Sequence, residues 1–245
     1  MYSLLNPKPM ETRIFENKET VAKSFSDYLS NLIDSKSEIH IALSGGSTPK
    51  IVFDELVAEY GDKIDWKKVH FYWGDERCVP PSDSESNFKM TQDHLLSKIE
   101  MPAENVHRIQ GENDPSQEAK RYSEVLQKQL PAENGMPRFD LVILGMGDDG
   151  HTASIFPDSI DQWEAKDLCV TVAHPVSGQI RVSLSGEIIN RAETVAFLVT
   201  GKSKAEKVRE VIQKEGNFDS YPASLVKPES GNLIWFLDQE AASLL

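Results

Sequence analysis

His151 stands near the end of the stretch FDLVILGMGDDGHTASIFP, residues 139–157, where an aliphatic run meets a glycine-rich turn. An unperturbed imidazole is largely unprotonated near neutral pH yet able to carry a proton, so a histidine held at such a turn suits acid or base chemistry. Leu141–Leu144 has the composition of a strand buried on both faces, and in open α/β sheets ligands bind beyond the carboxyl ends of such strands. Gly145, Gly147 and Gly150 are expected to supply positive φ or close backbone approach to a ligand. A histidine after a turn also serves as a hydrogen-bonded structural residue, and His151 alone leaves that reading open. The same glycines satisfy GxGxxG, the dinucleotide fingerprint. Pro157 would interrupt the crossover helix that a dinucleotide site needs, and Asp167 precedes the next apolar run instead of ending it.

Three other loops carry groups suited to an anion. In IALSGGSTPK, residues 41–50, a strand runs through Ser44, Gly45 and Gly46 into a helix predicted to start with Thr48 as N-cap and Pro49 at its first position. Free N–H groups at a helix start beside a glycine turn favour phosphate, although a plain strand-to-helix turn would read the same way. Ser44 lacks the preceding glycine of a GxSxG nucleophile elbow. In FYWGDERCVPPSDSESNF, residues 71–88, a strand reaches Gly74 and then Asp75, Glu76 and Arg77. Charges there suggest solvent exposure, but the long loop that follows could fold the Arg77 guanidinium over a pocket for bidentate recognition of phosphate or carboxylate. In VAFLVTGKSK, residues 195–204, a helix is expected to begin near Ser203, with Lys204 in its first turn. A cation there opposes the helix dipole and is explained either by an anionic ligand or by simple solvation.

Apolar runs and helical patterns alternate almost from end to end. Strands are predicted at Ile39–Leu43, Val69–Trp73, Leu141–Leu144, Cys169–Val172, Arg181–Leu184, Val195–Thr200 and Leu233–Leu237. Helices are predicted around Val21–Leu32 and Ile51–Tyr60, and at Asn87–Lys98, Ser116–Gln129 and Lys202–Lys214. Ala132–Arg138 reads as a connecting loop. The expected fold is one α/β domain over residues 1–245, with a Rossmann-like, open, largely parallel sheet and helices on both faces.

Composition narrows the function classes. The net charge of −13 repels nucleic acid and anionic membranes, and no basic stripe offsets it. An anionic substrate would therefore need cations gathered in one pocket. The two cysteines, Cys78 and Cys169, form no CxxC or Cys/His cluster, and the six histidines show no HExxH or similarly spaced pair. Neither a disulfide scaffold nor a metal is implied, and no cofactor is expected. No apolar run approaches bilayer length, and the N-terminal MYSLLNPKPMETRIF has no signal-peptide core, so the expected location is cytoplasmic.

SGGSTP, GDERCVP with SNF, GMGDDGHTAS and TGKSK, in that order, together with the later YPASLVKP and IWFLDQEAA, resemble the 6-phosphogluconolactonase family. Asp148 falls at a variable position of the histidine motif, and Lys227 where related sequences often show arginine; neither is expected to disturb the site. The similar glucosamine-6-phosphate deaminases follow their histidine with an Asn-Glu pair, where this chain has Ile155 and Phe156. They also usually carry an aromatic residue where this chain has Arg77. The resemblance implies hydrolysis of 6-phospho-D-glucono-1,5-lactone to 6-phosphogluconate, with His151 as general base and Asp149 orienting its ring or stabilising its cation. It implies a phosphate grip from Ser44, Gly45, Gly46, Lys204, Arg77 and Arg181, and places Asp75 on sugar hydroxyls or on Arg77. The partner is a small phosphorylated sugar lactone, bound by a monomer or small homo-oligomer. The alternatives are a deaminase-like isomerase and a sugar-phosphate sensor without turnover; the short N-terminus leaves little room for the DNA-binding segment that sensors of that type carry.

Overall fold

The computed structural model describes residues 10–245. The beginning of the N-terminal stretch read above for a leader lies outside them. In chain order the strands are β1 (Glu11–Phe15), β2 (Ile39–Leu43), β3 (Val69–Trp73), β4 (Asp75–Arg77), β5 (Val106–His107), β6 (Ala132–Glu133), β7 (Met136–Pro137), β8 (Leu141–Leu144), β9 (Cys169–Ala173), β10 (Ile180–Leu184), β11 (Thr194–Val199) and β12 (Leu233–Asp238). The α-helices are α1 (Lys18–Asp34), α2 (Ser47–Tyr60), α3 (Asn87–His94), α4 (Pro115–Gln129), α5 (Gly186–Asn190) and α6 (Ala205–Gln213).

Seven strands form one sheet in the order β1-β12-β11-β8-β2-β3-β5, and every pairing in it is parallel. The central strands β2, β8 and β11 are buried along their whole length, as expected of strands covered on both faces. Helices pack around the sheet; α1 lies on α2 and β12, and α2 also meets α3 and β11. The α/β expectation therefore holds. The chain steps outward in one direction through β2, β3 and β5 and in the other through β8, β11 and β12. Between β2 and β8 the order reverses, and the crevice beyond the carboxyl ends at such a switch point is where this class of sheet binds ligands.

The structure corrects the sequence reading in several places. Cys169–Val172 and Arg181–Leu184 do not join the parallel sheet; as β9 and β10 they form a separate antiparallel sheet, β4-β10-β9. Its third strand is the charged triplet Asp75–Arg77, expected at a solvent-exposed strand end but with Asp75 and Glu76 buried. The 132–138 connector contains the β6/β7 hairpin. The helix expected over Asn87–Lys98 stops at His94 and continues as a 3₁₀ turn at Leu96–Lys98. Helix α2 is entered from Gly46 at φ +108°, a left-handed value that costs glycine little, so Thr48 is not the N-cap. The Thr48 hydroxyl instead pairs with that of Thr200 across 2.8 Å, joining the first and last of the four loops.

Candidate active site

A cavity of about 210 Å³ opens at the switch point, lined by Ser44–Gly46, Asp75, Arg77, Asn87, Gly145–Gly147, His151, Ala153, Arg181 and Lys204. All the residues predicted to bind substrate meet here, with His151. Asp149 stands behind the imidazole. A larger cavity of about 520 Å³ lies beside Phe88, Arg108 and Arg121, but those arginines are already bonded to Glu112 and Glu118.

The turn after β8 bends back on itself before any helix forms, as the position of Pro157 requires. Gly147 N–H donates to the His151 carbonyl at 2.9 Å, and Gly150 N–H to the Gly147 carbonyl at 3.1 Å. Of the three glycines expected to take positive φ, only Gly150 does, at +84°. Gly147 is needed for space, because a Cβ there would lie 2.1 Å from His151 Nδ1. Gly145 shows neither requirement. The hydroxyl of Thr152 ties the far limb back to the Gly145 carbonyl at 2.8 Å.

His151 Nδ1 lies 2.6 Å from Asp149 Oδ1, which also accepts the His151 backbone N–H at 3.1 Å. An ionised carboxylate only accepts, so Nδ1 carries the hydrogen, and in the neutral ring Nε2 is the nitrogen with the lone pair. Partial burial pushes the Asp149 carboxyl up, but the bonds to His151 outweigh it and bring it down to about 2. The other face of the imidazole rests on Phe156, with ring centroids 4.6 Å apart, and Phe156 is 1% exposed. The Arg181 guanidinium lies 5.6 Å from the same phenyl ring.

Arg77 and Arg181 face each other across β4 and β10. Like charges in direct opposition are unfavourable unless something anionic joins them. Arg77 donates to the Glu85 carbonyl at 2.5 Å, and Arg181 lies 3.4 Å from the Ser154 hydroxyl; among the described residues, neither buried Nε has a partner. Burial first, then Arg77, pull the Arg181 guanidinium below its ordinary value. An anion between these groups would relieve both effects.

Two acidic residues hold this wall in place. Asp75 accepts from the Ser154 hydroxyl at 2.6 Å, while Asn87 Nδ2 donates to the Asp75 carbonyl at 3.0 Å. Glu76 accepts backbone N–H groups of Arg77, Asn87 and Phe88 at 2.7–2.8 Å and the Ser86 hydroxyl at 3.0 Å. Burial nonetheless pushes its carboxyl up. Glu76 thus satisfies the free N–H groups at the start of α3 and fixes Asn87, whose side chain lies over Gly45 so closely that a Cβ there would fall 1.9 Å from Oδ1. The sequence reading missed Glu76, Asn87 and Ser154 as parts of the site. The SNF triplet beside the DER triplet was the available signal.

Lys204 ends a 3₁₀ turn just before α6 and reaches Asp148 Oδ1 at 2.5 Å, with Ser203 donating to the same oxygen at 3.1 Å. Asp148, expected to leave the site undisturbed, is therefore the partner of its lysine. Gly201 N–H, bonded to both Asp238 carboxylate oxygens at 3.0 Å, anchors this turn to the end of β12.

The family model described as glucosamine-6-phosphate isomerases/6-phosphogluconolactonase matches residues 16–235. The chain belongs to that family. It is similar to a 6-phosphogluconolactonase of Haemophilus influenzae, 47% identical over 84% of this chain and 88% of the relative. A Treponema pallidum 6-phosphogluconolactonase is 41% identical over 82% and 84% of the two chains. Among solved structures, 6-phosphogluconolactonase from Trypanosoma brucei superposes with a TM-score of 0.87 at 27% identity, covering 97% of this chain and 99% of that one. The family match spans all four pocket loops. Among the described residues no helix is long and apolar enough to cross a membrane.

Proposed function

We propose that this chain hydrolyses 6-phospho-D-glucono-1,5-lactone to 6-phosphogluconate in the oxidative pentose phosphate pathway, acting as a single cytoplasmic domain over residues 1–245. Its lactonase relatives support the reaction. For the mechanism, the supporting observation is one cavity that holds an Asp149-oriented imidazole beside two arginines, a lysine and a glycine-lined helix start.

His151 Nε2 takes a proton from water as the water oxygen attacks the lactone carbonyl. The carbonyl oxygen becomes an oxyanion. As the tetrahedral intermediate collapses, the C1–ring oxygen bond breaks and the imidazolium returns its proton to the ring oxygen, leaving the open-chain acid. Asp149 holds the imidazole in the required tautomer and stabilises its cationic form. Ser44, Gly45, Gly46, Arg77, Arg181 and Lys204 bind the phosphate, while Asp75 supports Arg181 through Ser154 and contacts sugar hydroxyls.

A deaminase-like isomerisation needs further proton transfers. Phe156, at the position where the resemblance places the deaminases' glutamate, is packed beneath the imidazole and offers no carboxylate. The test follows 6-phosphogluconate release above the spontaneous rate with a coupled dehydrogenase, for the native protein and for His151→Ala. The expected result is acceleration by the native protein and a loss of about 100-fold or more in kcat for the variant, with a smaller change in KM. Near-normal kcat in the variant would remove His151 from the chemistry. No acceleration by either protein, with turnover of glucosamine 6-phosphate, would replace the lactonase assignment by the deaminase one; tight binding without turnover would favour a sensor.

A further inference from the structure

At the opposite end of the sheet from the lactone pocket, β2 and β3 bring two histidines together near their amino ends, and β5 adds a third beside them. His40 and His70 are register partners on β2 and β3, and His107 on β5, the register partner of Tyr72, reaches the His70 ring with its side chain. Their rings stack, His40 on His70 at 4.7 Å and His70 on His107 at 5.6 Å. Glu38, immediately before β2, turns its carboxylate onto the first two. Oε1 lies 3.1 Å from His40 Nε2 and 3.3 Å from His70 Nε2, and the three ligand atoms lie within 4.8 Å of one another.

The geometry points to a binding site for a divalent transition-metal ion on Glu38, His40 and His70, remote from the lactone pocket. Tetrahedral bonds of about 2.0–2.1 Å to nitrogen and oxygen give ligand-to-ligand edges of about 3.3 Å, and two of the three edges here already have that length. Two imidazoles and one carboxylate are a donor set for zinc, nickel or copper rather than for magnesium or calcium. The second nitrogen of each imidazole is also engaged, His40 Nδ1 with the Tyr72 hydroxyl at 3.1 Å and His70 Nδ1 with His107 Nε2 at 3.3 Å. Such outer partners orient metal-bound histidines. His40 is 5% exposed and fixed by the core, whereas the Glu38 side chain is 57% exposed, leaving a fourth position open to water. At about 3.3 Å of rise per residue, His40 stands about 13 Å from Ser44 along β2. The metal therefore takes no part in lactone chemistry and cross-links the amino-terminal ends of β2 and β3 instead.

Sequence spacing could not show this site. His40 and His70 lie far apart in the chain, and only the parallel register of β2 and β3 makes them neighbours.

Chelator-treated full-length protein is titrated with zinc by calorimetry, alongside His70→Ala, Glu38→Gln and His151→Ala, with melting temperature as a second readout. The expected result is one zinc per chain, at least about tenfold weaker binding in His70→Ala and Glu38→Gln, and unchanged binding in His151→Ala. Zinc should raise the melting temperature of the native protein more than that of His70→Ala. His107→Ala, which removes only an outer partner, should weaken binding less than His70→Ala. No stoichiometric zinc in the native protein, equal affinity in His70→Ala, or loss of binding confined to His151→Ala would overturn the proposal; the last would put the ion in the lactone pocket.

Discussion

Adjacent parallel strands β2 and β8 both end in a glycine turn at the same crevice, yet the two turns do different work. After β2 the backbone passes Gly46 and enters helix α2 at once, so the turn offers main-chain N–H groups and Ser44. After β8 no helix follows at once; the next helical residues are the 3₁₀ segment Pro157–Glu164. The chain folds back through Gly147 and Gly150, and what it presents is a side chain, His151, with Asp149 bonded behind it. One turn supplies backbone dipoles suited to a fixed anion, the other a group that gains and loses a proton. Glycine content alone does not distinguish them. The residue count to the next helix start does.

Substitutions at the two turns should break this contrast in opposite directions. Gly147→Ala places a methyl 2.1 Å from His151 Nδ1 and must displace the imidazole, so kcat should fall by about 100-fold, approaching His151→Ala, while the fold survives by circular dichroism. A variant with normal kcat would mean that the ring is not held where the base must be. Asp149→Asn keeps the size but replaces an acceptor-only carboxylate with an amide whose NH2 can face Nδ1 and favour the wrong tautomer, and should cost kcat about tenfold or more. Its stability effect carries a sign. The native carboxyl is depressed from 3.8 to about 2, so the stability from its pair with His151 is present above pH 3.8 and lost as pH falls through about 2. Urea unfolding should therefore separate native protein from Asp149→Asn above pH 4 and bring them together near pH 2.

On the anion side, Lys204→Ala should raise KM for the phosphorylated lactone about tenfold and leave a lactone without phosphate unaffected. Equal effects on both substrates would remove Lys204 from the phosphate grip. The smallest change is expected from Asp148→Asn. It frees Lys204 from a partly exposed ion pair, and KM should fall by about two- to threefold, most visibly at low salt.

The central strands and both glycine turns were legible because their signals are local: aliphatic runs, glycines at strand ends, a proline placed where it would interrupt a helix opening on the glycines. The antiparallel sheet was not. Asp75-Glu76-Arg77 looks like a solvated strand end, and the N–H of Arg77 together with three donors from Ser86, Asn87 and Phe88, ten to twelve residues on, make Glu76 tolerable inside. The Thr48 cap failed for a related reason, since its hydroxyl is engaged by Thr200, just past the end of β11 and far along the chain. Lys204 illustrates the same limit. The unfavourable dipole was visible, but its partner, Asp148, belongs to another loop. The histidine at the strand end could be singled out; that it rests on Phe156 could not.

Phe156 lies against both the His151 ring, 4.6 Å between centroids, and the Arg181 guanidinium, 5.6 Å from its centroid. The proton acceptor and one cation are therefore both held against a single buried phenyl ring. This spacing works as a gauge block. Substrates shortened or lengthened by one carbon between carbonyl and phosphate would fit one group and miss the other, so chain-length selectivity resides in an aromatic side chain that itself forms no bond to substrate.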